Sequence, residues 1–559
     1  MSADFDVCII GSGAGGGPVA FALAQAGRSV VVLEKGPWLR EGDFSKDEIG
    51  DCRRNRFVTD RRVEPHAVEI PEDGAWRTYP TPETGWDFWN GNMVGGASNL
   101  MSGFFHRLKP DDFRLKSAFG PVEGAEVEDW PITYDELEPY YDLVERVVGV
   151  SGRVVPHPHA DRRSSPDLPF PPLVEHPLSS WIDRLGAEMG LHPFPVPRAI
   201  LSAPAHGRGS CSYSRYCGSY GCATGAKGSS RAALIQRAVA TGRCEVRAQC
   251  MARRIHTDAQ GRITHVEYHE EHGKVGAVSA RVYVVACQSI ETARLLLLST
   301  GPKHPRGLAN SSGQVGRNLL FSTAAWGRAS LPYRKFKPDE VEALQNQAPF
   351  INRAFQDWYS FTDETGTRMK GGTLELLFAH PNPISQAITA AYSGDDGVLW
   401  GWPLKKKLEE HFKGARHLLF EVFADWMPHP DCHVTLDPDV KDRFGLPVAR
   451  VRVGKHPRNK VVGTFLAERG IEILRKLGGE ELVMSSRGAP ATNLLAGACR
   501  FGTDPEKSAL DRDCRAHDVE NLFVTDGSFM PTGGSVPFTF TIYANAFRVA
   551  EKIRAQLGG

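Results

Sequence analysis

Residues 5–35 read FDVCIIGSGAGGGPVAFALAQAGRSVVVLEK, and this stretch decides the fold. The apolar run Val7–Ile10 has β character and meets Gly11-x-Gly13-x-x-Gly16. A helical pattern follows from about Gly17 to Ala26, Gly27 stops it, and Ser29–Leu33 reads as a second strand ending at Glu34. Strand, glycine turn, helix, strand and terminal acid in this order form a βαβ dinucleotide-binding fingerprint. Gly11 permits the tight turn, Gly13 lets the backbone approach a pyrophosphate, and Gly16 brings helix and strand together. A pyrophosphate is expected beside Ala14 at the helix amino terminus, where free N–H groups and the helix dipole favour an anion. Glu34 is the expected acceptor for the adenosine ribose hydroxyls. An acid there disfavours a 2′-phosphate, which leaves FAD or NAD as the nucleotide.

The rest of the chain is consistent with a large protein of ordinary composition. At roughly 100–200 residues per domain, 559 residues argue for two or three domains. Lysine plus arginine (66) balance aspartate plus glutamate (66), so no overall basic field recommends nucleic acid as a partner. No run of about 18 apolar residues marks a spanning helix. Asp4 and Asp6 stand where an export signal carries basic residues, and the apolar stretch after them runs straight into glycines, so no export signal is expected.

Residues 36–130 are rich in loops and contain Val94-Gly95-Gly96-Ala97-Ser98-Asn99. A helix is expected over 131–150, a helix and a strand over 176–200, and a helix over Ser229–Thr241. The segments 244–256, 262–270 and 276–285 alternate like antiparallel strands. A buried strand at Val282–Ala286 leads into a helix at Ile290–Leu298. Residues 320–455 have β character, with helical patches near 338–346 and 404–413. An amphipathic helix is expected over Asn459–Leu477, and a closing helix at about 539–556. Lys405-Lys406-Lys407 reads as a solvated face and His517 as a surface turn residue, while Trp86 and Trp89 are read as pocket lining or aromatic core.

Of eleven cysteines, eight are scattered and three fall within twelve residues, as Cys211-x5-Cys217-x4-Cys222. The odd count in a long chain argues against a disulfide scaffold. Thiolates so closely spaced can converge on one inorganic centre. A zinc site short of one ligand, a disulfide with a spare thiol, and plain loop cysteines remain open on the residues alone; structural zinc usually takes four ligands.

These pieces, in this order, resemble the glucose–methanol–choline (GMC) family of FAD-dependent oxidoreductases. The resemblance is carried by the Gly11–Gly16 turn, VGGASN at 94–99, DWPITYDELEPYY at 129–141, CQSIETARLLLLS at 287–299, GLANSSGQVGRNL at 307–319, VTLDPDVKDRFGLP at 434–447 and NLFVTDGSFMPTGGS at 521–535. It covers nearly the whole chain and is weakest across about 325–420. It implies an α/β (α+β overall) protein, with a Rossmann-like FAD-binding domain interleaved with a substrate domain on an antiparallel sheet. The implied division is 1–130 plus 200–320 plus 491–559 for FAD and 131–199 plus 321–490 for substrate, with 209–228 as the cysteine loop. Gly95, Gly96, Ser98 and Asn99 would pack near flavin and pyrophosphate, Asp526 and Gly527 would meet the pyrophosphate and ribityl region, Phe538 and Thr539 would lie beside the pyrimidine ring, and Ala252 would touch the adenine. The cysteine loop is similar to that of the subgroup containing bacterial gluconate, fructose and FAD-glucose dehydrogenases, in which three cysteines hold a 3Fe–4S cluster. That implies Cys211, Cys217 and Cys222 as iron ligands and favours a dehydrogenase over an oxidase. It further implies a small companion subunit that can carry an export signal, and a cytochrome c-type or quinone-linked acceptor. Cytoplasm and periplasm therefore both stay open.

The catalytic positions break the pattern. Removing a hydroxyl proton as hydride leaves carbon needs a base, and histidine suits because its pKa lies near neutrality. Counting back from Gly497, the family's histidine position falls on Leu494; its second position falls on Pro537. Neither can move a proton. Asn493, one residue away, can supply a hydrogen bond but is not a base. Another histidine is one expectation, with His380, His429 and His456 as candidates. A substrate that needs no histidine, as in desaturation beside a carbonyl, is a second. A lyase, isomerase or non-catalytic binding or assembly subunit is a third. The leading expectation is an FAD-dependent dehydrogenase subunit that oxidises a sugar, polyol or related alcohol.

Overall fold

The computed structural model describes residues 3–558 apart from 53–56, 59, 90, 161, 380, 381 and 393–396. The opening segment folds as its pattern demands. Val7–Ile10 pair in parallel with Val30–Leu33 on one side, and Phe5–Ile10 pair with Ala280–Val285 on the other. Cys244–Arg247 and Leu522–Val524 extend the sheet to five parallel strands, so its members come from both ends and the middle of the chain. The central strands at Val7–Ile10, Val30–Leu33 and Val282–Val285 are continuous apolar runs because both faces are buried, as in parallel sheets generally. The helix Gly16–Gln25 leaves the first strand and packs against the closing helix Thr539–Gln556. Phe21 meets Phe547 edge-on, with ring centroids 6.2 Å apart.

The second layer is a six-stranded antiparallel sheet in the order Glu480–Gly497, Leu319–Pro332, Ala415–Asp425, Gly372–Phe378, Arg353–Phe355, Phe194–Pro195. Alternate residues of a strand face opposite ways. Leu418, Phe420, Val422 and Ala424 accordingly enter the core beneath the amphipathic helix Pro457–Lys476, with Leu466 and Leu474. Glu421 and Phe423 face the other way, toward the five-stranded layer. The strand Glu480–Gly497 runs through the division expected at 490/491.

Two expected strands prove to be pairs. Residues 244–256 split at Gln249, whose positive φ of 57° turns the chain from the parallel sheet into a separate antiparallel meander of Met251–Thr257, Ile263–His269 and Val275–Val278. Residues 276–285 split at Ser279, with Ala280–Val285 returning to the parallel sheet. The helix Pro383–Ala391 was not expected from the sequence. Among the described residues no helix is long and apolar enough to cross a membrane.

Candidate active site

A cavity of about 430 Å³ lies between the two layers, reaching from the glycine turn to the inner face of the antiparallel sheet. Its nucleotide end is built by the opening segment. Gly11 has φ +97°, and a Cβ there would stand 2.2 Å from the Ala286 carbonyl oxygen, so only glycine makes this turn. A Cβ on Gly16 would stand 1.9 Å from the Gly11 oxygen, which closes helix onto strand. Gly13 differs from both: a Cβ there meets no protein atom within 4 Å. It lines the cavity, so its missing side chain leaves room for something other than the chain itself. A pyrophosphate fits that cradle, at a helix amino terminus and beside bare backbone.

Glu34 ends the second strand on the cavity wall, buried. One carboxylate oxygen accepts from the Ser12 amide (3.1 Å) and hydroxyl (2.5 Å), the other from the Gly36 amide (2.9 Å). Burial pushes its pKa up, against these hydrogen bonds. The Ser12 hydroxyl in turn accepts from Gly95 N–H (2.8 Å), which ties the glycine turn to Gly95–Gly96. Asn99 donates to the carbonyls of Val94 and Gly96 (both 3.0 Å) and Ser98 to that of Gly95 (2.5 Å), so both side chains hold the turn's own backbone. Asp526, also buried, accepts from Gln288 N–H (3.0 Å) and Ser528 N–H (2.9 Å); burial raises its pKa.

Of the residues expected at the nucleotide, Gly11, Gly13, Ala14, Glu34, Gly96, Ser98, Ala252, Asp526, Gly527, Phe538 and Thr539 line the cavity. Gly16, Gly95 and Asn99 stand behind the wall and shape it, as the close approaches and hydrogen bonds above require. Trp89 lines the cavity, whereas Trp86 does not: it stacks on Phe88 at 5.7 Å.

Asn493, Leu494 and Pro537 also line the cavity. The strand pairing explains how the first two arrive. Leu320 pairs with Ala496 but Ser322 pairs with Ala491, so residues 492–495 bulge opposite the single residue Phe321. Bulges of this kind re-aim side chains beside active sites. Two of the three histidine alternatives, His429 and His456, are corrected. His429 and His456 stand together with ring centroids 6.3 Å apart, and His456 bonds the Glu123 carbonyl (2.8 Å), away from the cavity. His380 lies outside the described residues. Among the described residues no histidine lines the cavity.

The ionisable group missed from sequence is Glu421. It is half-buried, lines the cavity and lies directly opposite Glu375 on the neighbouring strand. Burial, reinforced by Glu375, raises its pKa to about 7, and Arg198 pulls the other way. An acid in the apolar-looking run LLFEVF carries no sequence signal for a site.

The three loop cysteines gather in one satellite core with Leu201, Ala226 and Phe350. Cys211 Sγ accepts from Tyr213 N–H (3.4 Å) and Cys222 Sγ from Lys227 N–H (3.5 Å). Burial raises Cys211 to about 11. Burial also pushes Cys222 up, but the Lys227 ammonium and the hydrogen bonds outweigh it and leave the thiol lowered. Among the described residues no three His, Cys, Asp or Glu side chains meet around a point where a single metal ion would sit. In a 3Fe–4S cluster each of the three thiolates ligates a different iron, so the sulfurs stand apart by the width of the cluster. Three thiols, two backbone N–H···S bonds and a buried cation suit that chemistry. Lys227 Nζ donates to the Cys217 and Tyr220 carbonyls (both 2.8 Å) and to that of Asn99 (3.1 Å), so the loop is tied to the turn at the cavity wall. Ser219, within the loop, lines the cavity itself.

Family models described as GMC oxidoreductase match residues 84–323 and 428–546. The 2-methyl-1,2-propanediol dehydrogenase of Mycolicibacterium austroafricanum is 32% identical, over 98% of this chain and 95% of its own. The fructose dehydrogenase large subunit of Gluconobacter japonicus is 27% identical, over 98% and 97%. The structure of formate oxidase from Aspergillus oryzae RIB40 superposes with a TM-score of 0.65 at 16% identity, over 100% of this chain and 99% of that one, a likeness of fold.

Proposed function

We propose, from the premise that the chain belongs to the GMC oxidoreductase family and is an FAD-dependent enzyme acting on alcohol-type substrates, that it is a dehydrogenase subunit oxidising a compact hydroxylated molecule such as a sugar or polyol. The observation that carries this reading is the single cavity that joins the glycine turn to the inner face of the antiparallel sheet. When bound, FAD accepts hydride from a carbinol carbon. The residues at Gly11–Ala14, Glu34 and Asp526–Gly527 would hold its pyrophosphate and ribose end, Ala252 its adenine, and Phe538–Thr539 its pyrimidine edge. Phe104, Phe423, Leu494 and Pro537 line the remaining space and exclude water from around the reacting carbon. Asn493 lines the same cavity, and its amide would hydrogen-bond a substrate oxygen.

Cys211, Cys217 and Cys222 would hold a 3Fe–4S cluster, which when bound passes electrons singly to an acceptor. Lys227 supports this: its ammonium offsets thiolate charge and anchors the loop on the Asn99 turn, which keeps the loop beside the cavity wall. A cytochrome c-type or quinone-linked acceptor and a small companion subunit complete the reading, as does a division of the chain into interleaved FAD and substrate domains.

Anaerobic purification followed by visible and EPR spectra tests it, together with turnover of sugars, polyols and simple alcohols on an artificial acceptor. A flavin spectrum bleached by at least one such substrate, with an iron signal that responds to reductant, is the expected result. A flavin that no hydroxylated compound reduces overturns the dehydrogenase reading, and a preparation without iron overturns the cluster alone.

A further inference from the structure

The family's histidine positions hold leucine and proline here, yet oxidation of an alcohol still requires somewhere for the hydroxyl proton to go. We infer that Glu421 is that proton acceptor, with Glu375 and His106 as the groups that position it. The inference rests on the reading of the cavity as an alcohol-oxidising site and names the group that reading lacks.

Four observations converge. Glu421 lies on the strand Ala415–Asp425, where alternation turns Phe420 and Val422 into the core and leaves Glu421 and Phe423 on the cavity wall shared with Asn493, Leu494 and Pro537. Its carboxyl makes no hydrogen bond among the described residues, so its oxygens are free for a ligand. Glu375 sits directly across the antiparallel pair, in the register where side chains of opposed residues meet. Glu375 is fully buried; its Oε1 bonds His106 Nε2 at 2.7 Å, and its Oε2 has no hydrogen-bond partner. A buried carboxylate oxygen left without a donor needs an explanation. Protonation of Glu421 supplies one, because it turns an acceptor-only group into an O–H donor opposite that oxygen.

The charges facing Glu421 set its readiness. From the neighbouring strand comes Glu375, backed by His106. From the segment after Phe194–Pro195 comes Arg198, whose guanidinium bonds Asn352 Oδ1 (2.5 Å) and the Ser102 carbonyl (2.8 Å) between the rings of Phe104 and Phe350. On its other flank the strand Leu319–Pro332 presents Trp326, which carries no charge. Burial and the like charge of Glu375 outweigh Arg198, so the carboxyl titrates at about 7, where a general base works best.

The step balances. Glu421 carboxylate forms an O–H bond with the substrate proton as the substrate O–H breaks. The C–H bond breaks with its electron pair leaving as hydride to FAD, and the C–O single bond becomes the carbonyl. FAD is the oxidant, the alcohol is the reductant, and the carboxylic acid of Glu421 then donates to Glu375 Oε2 until it releases the proton.

The test is anaerobic stopped-flow reduction of the bound flavin by an alcohol substrate, across pH, in wild type, Glu421→Gln, Glu421→Asp and Glu375→Gln, each checked for flavin content. In wild type the second-order rate should fall tenfold per unit below about pH 7 and level off above it, because the carboxylate is the active form. Glu421→Gln should keep its flavin, lose about 10²–10⁴-fold in rate and lose the acid limb; Glu421→Asp should keep the limb at a reduced rate. Glu375→Gln removes the like charge, so the limb should move to lower pH. If wild type reduces its flavin and Glu421→Gln does so at the same rate with the same limb, this inference falls while the dehydrogenase reading stands. If Glu421→Gln loses its flavin, Glu421→Asp decides, and an Asp variant without the limb overturns the inference. A wild type that no alcohol reduces overturns both.

Discussion

Two neighbouring glycines offer a test in which the same substitution should fail for opposite reasons. In Gly11→Ala the new Cβ is placed at φ +97° and 2.2 Å from the Ala286 carbonyl oxygen. Holding alanine in that backbone region costs about 1–3 kcal/mol, and forcing a methyl against fixed backbone adds about 1–3 kcal/mol. The sum, about 2–6 kcal/mol, is a large share of the 5–15 kcal/mol typical of a folded domain. In Gly13→Ala the Cβ meets no protein atom within 4 Å, and Gly13 is not among the residues of positive φ. Apoprotein stability should then change by no more than about 0.5 kcal/mol. The methyl instead occupies the space assigned to pyrophosphate, where overpacking by about 1–3 kcal/mol weakens FAD binding about 5- to 150-fold. The assays are thermal unfolding of flavin-stripped protein and FAD titration by quenching of flavin fluorescence. Gly11→Ala should lower the unfolding temperature of the apoprotein; Gly13→Ala should not, but should require more FAD to saturate. Wild-type FAD affinity in Gly13→Ala refutes the placement of the pyrophosphate.

Other substitutions separate the remaining roles. Glu34→Gln places an NH₂ group against either the Ser12 donors or the Gly36 donor and should cost about 1–3 kcal/mol in thermal stability, along with weaker FAD binding in the same titration. Asn493→Ala should raise KM about 2- to 13-fold with the flavin reduction limit little changed, as expected for one neutral hydrogen bond of about 0.5–1.5 kcal/mol; unchanged steady-state kinetics remove Asn493 from the site. Cys217→Ser should abolish the iron signal and turnover with a protein acceptor, yet leave reduction of the flavin by substrate in stopped flow intact.

The parts of the fold that were legible are those whose cause is local. The glycine turn needs a positive φ at Gly11 and a close approach at Gly16, and both requirements are written as glycines. The closing helix expected at about 539–556 forms as Thr539–Gln556. The split at Gln249 was not legible, because a single non-glycine residue with φ 57° carries no compositional mark and the strands on either side have the same alternation. The cavity residues divide in the same way. Gly13, Glu34 and Asp526 lie in motifs with fixed spacing, whereas Glu421 depends on three strands far apart in the chain.

Leu494 and Glu421 together show why a motif can lose its base while the site keeps one. Residues 492–495 bulge from the end strand and aim Asn493 and Leu494 into the cavity, so the backbone device is present with an apolar side chain on it. A proton acceptor need only reach the hydroxyl; the strand from which it comes is immaterial to the chemistry. The same sheet face offers a second origin, two strands in, at Glu421. A carboxyl there would ordinarily be ionised near pH 4, too weak a base for an alcohol. Burial and Glu375 bring it near neutrality. The orphaned oxygen of Glu375 has no evident structural use, and its position opposite Glu421 gives it a chemical one.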